Sequence, residues 1–128
     1  MRSFLLTLIL LLPAFPQEPT SQDPPEEDQA LLEKQEYVLN PLQAVKELKV
    51  GAYYLKKGSY LAAARRFEEA TKWDPNSIEA WFRLGEAQSR LGDMTAAKNA
   101  WKKAAEIDPE SKLAVEAKRR LAKATPKT

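Results

Sequence analysis

One stretch of this chain occurs twice at a spacing of 34 residues, and no other feature limits its folding as strongly. Gly51, Gly58, Tyr60, Ala63, Phe67, Ala70 and Asp74-Pro75 are matched in order by Gly85, Gly92, Met94, Ala97, Trp101, Ala104 and Asp108-Pro109. A fixed period of this size marks small supersecondary units that cannot bury their apolar faces alone and must stack to do so. Such a stack presents a grooved surface rather than a reaction centre.

Each unit reads as two helices. Asn40-Pro41 combines a favoured N-cap with the residue best suited to the first helical position. Leu42, Val45, Leu48, Gly51-Ala52 and Leu55 then recur at helical spacing to Lys57, and Gly58 supplies a C-terminal stop. A second helix runs from about Tyr60 to Trp73, where Asp74-Pro75 ends it. Asn76-x-x-Glu79 resembles a capping box opening a third, which carries Trp81, Leu84, Gly85 and Leu91. Met94 to Ile107 is the fourth. Ser111 caps a fifth, Lys112 to Ala124, with Leu113, Ala117 and Leu121 on one stripe and bases around most of the rest. The small residues at Gly51, Gly85, Ala63, Ala70, Ala97 and Ala104 are expected to let paired helices approach closely. Phe67 and Trp101 are expected to fill the space between pairs. Glu26 to Leu39 shows a more ragged stripe (Ala30, Leu31, Leu32, Val38, Leu39), which predicts a further helix within 29–40.

Two absences bound the chemistry. The chain has neither cysteine nor histidine, so disulfides, thiolate catalysis and zinc held by sulfur are excluded, and the commonest general base is missing. Asp74 and Asp108 belong to turns, and Glu68-Glu69 is expected on a solvated face. No phosphate loop, nucleophile–base pair or metal-ligand spacing occurs, so catalytic residues, cofactor-binding residues and metal ligands are expected to be none.

The amino terminus reads as an address. Arg2 precedes a leucine-rich run from Phe4 to Leu12, broken at Pro13-Ala14. This pattern predicts a secretory signal or signal anchor over 1–15, too short for the roughly 20 residues of a bilayer span. Residues 16–28 hold Pro16, Pro19, Pro24 and Pro25 with several acids, the composition of a solvated linker. Charge is polarised beyond it. Gln17 to Asn40 holds seven acids and one base, whereas Lys112 to Thr128 holds six bases and one acid. These readings predict an exported protein, periplasmic or envelope-associated.

Trp81-x2-Leu84-Gly85, Gly92-Asp93, Ala97, Trp101, Ala104 and Asp108-Pro109 resemble the tetratricopeptide repeat. Gly51, Tyr54, Gly58, Tyr60, Ala63, Phe67, Ala70 and Pro75 repeat the likeness one unit earlier. Three positions depart from it: Glu47 where the family prefers Trp, Val50 where it prefers Leu, and Gln88 where it usually places Tyr. The resemblance implies an all-α fold of antiparallel helix-turn-helix repeats, stacked as a short right-handed α-solenoid. The units would span 41–77 and 78–111, followed by a C-terminal capping helix at 112–124 and a tail at 125–128. Asn40-Pro41-Leu42, Val50 to Ala63 and Arg66-Phe67 are also similar to the first repeat of the BamD-type lipoproteins of outer-membrane assembly. Those proteins carry a lipid-bearing cysteine that this chain lacks.

The resemblance implies a protein or peptide partner held on the concave face formed by the first helix of each pair. Candidate residues there are Val45, Leu48 and Leu55, then Phe82, Glu86, Ser89 and Arg90, then Leu113, Glu116 and Arg120. Related domains that capture chaperone carboxylates use Asn and Lys at sites that include Ala52 and Glu86 here, which disfavours that ligand. Lys118-Arg119-Arg120, with Lys112, Lys123 and Lys127, offers peripheral contact with an anionic membrane. Nucleic acid is disfavoured because no aromatic residues interleave with these bases. Self-association into a homo-oligomer, as a structural envelope component, is the competing role, since short stacks gain from covering an end.

Overall fold

A computed structural model describes residues 36–125 of the 128-residue chain. It contains five helices: α1 Pro41–Lys57, α2 Tyr60–Trp73, α3 Ile78–Arg90, α4 Met94–Ile107 and α5 Lys112–Ala124. The expected signal, linker and final residues 126–128 lie outside the described residues.

Local chemistry sets the helix ends. Asn40 Oδ1 accepts from the Gln43 N–H at 3.0 Å, with Pro41 in the first turn, as the dipeptide predicts. Asp93 and Ser111 do the same for α4 and α5, accepting from Ala96 and Ala114 at 3.1 Å each. Gly58 and Gly92 take φ of +79° and +82° and turn the chain after α1 and α3. This left-handed backbone is costly for any residue with a Cβ.

Two expectations fail at helix starts. The cap of α3 is Ser77, whose Oγ accepts from Ala80 at 3.2 Å, rather than Asn76. Asp74 Oδ1 accepts the Asn76 N–H at 3.1 Å and closes a turn that delivers Ser77 to the cap, one period before Ser111. Within the predicted helix over 29–40, residues 36–40 are not helical. A residue before proline is pushed towards extended backbone, and Asn40 sits at φ −143°. Its N–H donates to the Trp73 carbonyl at 2.9 Å. Tyr37 packs edge-on against Trp73 at 5.0 Å and donates its hydroxyl to Glu69 at 2.6 Å. The portion 29–35 lies outside the described residues.

The hairpins α1–α2 and α3–α4 stack with α5 to form a short α-solenoid. α3 packs on α2 of the preceding hairpin and on α4 of its own, and touches α1 on one side and α5 on the other, while the backbones of α2 and α4 stay apart. The stack therefore bends with the first helices inside. Phe67, fully buried, packs with Tyr54, Leu84, Ala87 and Ala100 and so joins both units. Trp101 plays the equivalent part with Phe82, Ala97, Ala104 and Ala117, joining α3, α4 and α5.

The repeat glycines make room for rings. A Cβ on Gly51 would lie 2.5 Å from Phe67 Cε1, and one on Gly85 would lie 2.5 Å from Trp101 Cδ1. The close approach is thus between a backbone and an aromatic side chain inside each hairpin, rather than between two backbones. The alanines at 63, 70, 97 and 104 are all fully buried, as small residues in a tight seam should be.

Candidate functional site

A cleft of about 150 Å³ opens near the C-terminal ends of α1 and α3, lined by Leu55, Tyr60, Glu86, Ser89, Arg90 and Arg120. Four helices contribute to it. Five of its six residues belong to the expected concave strip, and Tyr60 is the addition. The Arg90 guanidinium lies 5.8 Å from the centre of the Tyr60 ring, a distance suited to cation–π attraction. Basic groups are also favoured beside the negative ends of these helices.

The charged part of the strip is knotted to itself. Glu86 accepts from Arg83 at 2.9 Å and from Arg120 at 3.3 Å. Glu116 accepts from Arg120 at 3.2 Å and holds Arg119 through two bonds of 2.8 and 2.6 Å. Arg120 also stacks over Phe82 and Trp101, 5.4 and 6.0 Å from their centres, so one guanidinium fastens α5 to the core. Of the basic run, Arg119 and Arg120 are therefore paired, and Lys118 donates to the Pro109 carbonyl at 3.2 Å.

Hydrogen bonds from Arg119, then from Arg120, hold the Glu116 carboxyl down at about 2, against an ordinary 4.5. A depressed carboxylate pKa contributes to folding above the unfolded value, and the contribution disappears as pH falls through the folded value. The clasp should therefore stay closed through mild acid and open only near pH 2. NMR titration of the Glu116 carboxyl carbon checks this: a midpoint near 4.5 would mean that the arginines do not engage it in solution.

The rest of the strip divides. Phe82 is 4% exposed and belongs to the core rather than to a spare inner face, because α5 packs on the side of α3 opposite α2. Leu48 and Leu113 are half-buried against core clusters. Val45 is exposed but lies outside the cleft.

Sequence reasoning missed two buried acids and one cavity. Glu69 is buried, not solvated, where it accepts from Tyr37 and from Lys72 at 3.4 Å. Burial, then the Glu69 bond, pushes the Tyr37 hydroxyl pKa up. Glu47 is buried beside Arg66, 3.3 Å away, and accepts from Gln43 at 3.1 Å. The cavity, about 660 Å³, lies between α2 and α4 over Trp81, Leu84 and Gln88. Gln88 was its signal. At the matching place in the first unit, the buried Tyr54 ring occupies the core, and the shorter Gln88 leaves its Oε1 buried without a partner among the described residues.

Stacked helical hairpins with an inner cleft define a helical-repeat scaffold. The comparisons place it further: the tetratricopeptide repeat model matches residues 54–125, and the chain belongs to that family, a non-catalytic protein-interaction fold. It is similar to Superkiller complex protein 3 of Homo sapiens, 39% identical over 64 residues, which cover 50% of this chain and 4% of that protein. The protein of the same name from Mus musculus is 35% identical over 68 residues, 53% of this chain and 4% of its own length. The likeness thus spans only a small part of those much longer proteins.

Proposed function

We propose that this chain is an exported interaction module that holds a peptide or protein segment on its inner face, seated in the cleft at Arg90. The observation that carries this reading is the convergence there of Leu55, Glu86, Ser89, Arg90 and Arg120 from three separate helices. An apolar wall, a hydroxyl and a guanidinium together suit an extended or helical segment bearing an acidic side chain beside an apolar one. Arg90 is the charge offered outward, since Arg120 is committed to Glu86 and Glu116. The leader-like run at 1–15 supports export to the periplasm or envelope. The basic face of α5 supports a peripheral contact with anionic lipid.

Site-specific photo-crosslinking in living cells tests the reading. A crosslinker at Ser89 should give a discrete partner adduct that disappears in the Arg90→Glu variant. The same crosslinker at Asn99, on the opposite face, should give none. Adducts at Asn99 alone, or adducts at Ser89 unaffected by Arg90→Glu, would defeat it.

A further inference from the structure

The two units differ in what covers the side facing the amino terminus. Over the second unit, Trp81, Leu84, Gln88, Ala96 and Ala100 face α2, which walls one side of the 660 Å³ cavity. One period earlier the same places hold Glu47, Val50, Tyr54, Ala62 and Arg66. These form the outer face of the α1–α2 hairpin, and no helix among the described residues lies over it.

Part of that face is already taken by the chain itself. Tyr37 lies against Trp73, with its hydroxyl on Glu69 and the Lys72 ammonium 5.4 Å from its ring centre. Glu69 and Lys72 correspond to Lys103 and Glu106, both lining residues of the cavity over the second unit. Tyr37 therefore stands in the register that α2 holds one unit later. The chain running back from it starts at the edge of an apolar strip made by buried Tyr54 with half-buried Val50 and Ala62.

We propose that residues 26–35 dock on this outer face and take the place of a preceding helix. Three observations choose this occupant over any other. It is continuous with Tyr37, so its docking needs no loop closure beyond a residue or two. It carries Ala30, Leu31 and Leu32 in one cluster, apolar side chains to set against the strip. Its acids Glu26, Glu27, Asp28 and Glu33 outnumber its one base, and the hairpin presents the exposed Arg65. A repeat of the usual kind would pack poorly there, because Glu47 and Arg66 stand where Trp81 and Ala100 make the unit-to-unit seam. A short amphipathic segment with carboxylates suits it instead, and it would keep the stack from adding a second copy at that end.

The absence of cysteine from the chain makes the test direct. In the full chain carrying Leu32→Cys and Ala62→Cys, mild oxidation should give an intramolecular disulfide, whereas Leu32→Cys with Asn99→Cys should not. Hydrogen exchange of the unsubstituted full chain should show amides 29–35 slowed on the order of ten-fold or more against free-peptide rates. Leu31→Asp with Leu32→Asp should abolish that protection while leaving helical circular dichroism in place. Three results overturn the proposal: unprotected amides at 29–35, equal oxidation of the two cysteine pairs, or disulfides between copies, which would assign the face to a second molecule. None of these bears on the Arg90 cleft, so the two readings fail separately.

Discussion

Replacing Phe67 with alanine is expected to cost about 3–5 kcal/mol and to leave the protein largely unfolded at 37 °C. Among the described residues Phe67 is the largest fully buried side chain, and it shares one core cluster with both units: Tyr54 from its own hairpin, Leu84, Ala87 and Ala100 from the next. Gly51 is hollowed out against its ring. Truncation leaves a void with helix backbones on several sides, which cannot collapse without separating the units. Urea unfolding followed by circular dichroism measures the loss. Leu61→Ala, at a position 54% exposed, is the control and should shift stability by a few tenths of a kcal/mol. A loss under about 1 kcal/mol for Phe67→Ala would show that the seam between units is carried elsewhere.

Gly85→Val is expected to cost about 3 kcal/mol, for the opposite reason. The new Cβ would overlap the Trp101 ring, and that ring has nowhere to go. Trp101 is 2% exposed, hemmed by Phe82, Ala97, Ala104 and Ala117, with the Arg120 guanidinium over it. Gly85→Ala meets the same ring but regains about 1 kcal/mol of helix propensity, so its net loss should be smaller. Combining Gly85→Ala with Trp101→Leu should cost less than the sum of the single changes, because the smaller side chain vacates the overlap. Gly58→Ala supplies the contrast. Its added Cβ meets nothing within 4 Å, and only the φ of +79° opposes it, a penalty of about 1–2 kcal/mol. Calorimetric Tm values that rank Gly58→Ala as the more damaging of Gly58→Ala and Gly85→Val would contradict the packing described above.

Much of the architecture was legible because it depends on short-range rules. Asn40-Pro41, Asp93 and Ser111 cap helices by side-chain chemistry within three residues. Gly58 and Gly92 turn the chain through a conformation that favours glycine. The 34-residue period by itself implies stacking, because each unit needs a neighbour to bury its apolar face. Where two competent caps adjoined, as at Asn76 and Ser77, the choice fell to the Asp74 turn; the repeat phase pointed the same way through Ser111.

The inner site was half legible. Leu55, Glu86, Ser89, Arg90 and Arg120 line one cleft because they share the helical period of the repeat. Phe82 was misjudged because a sequence stripe assumes one buried side per helix. In a stack, a central helix has neighbours on two sides, so adjacent residues Trp81 and Phe82 both find cover.

The sequence by itself determined the helices, their order, their pairing and the aromatic residue each pair is built around, since these follow from local propensity and a repeated pattern. Only the tertiary structure decided which charges are buried. Glu47 and Glu69 look like surface acids in one dimension. They are buried because partners 19 and 32 residues away, Arg66 and Tyr37, reach them across the fold. The worth of a charge depends on what surrounds it, and those surroundings come from elsewhere in the chain.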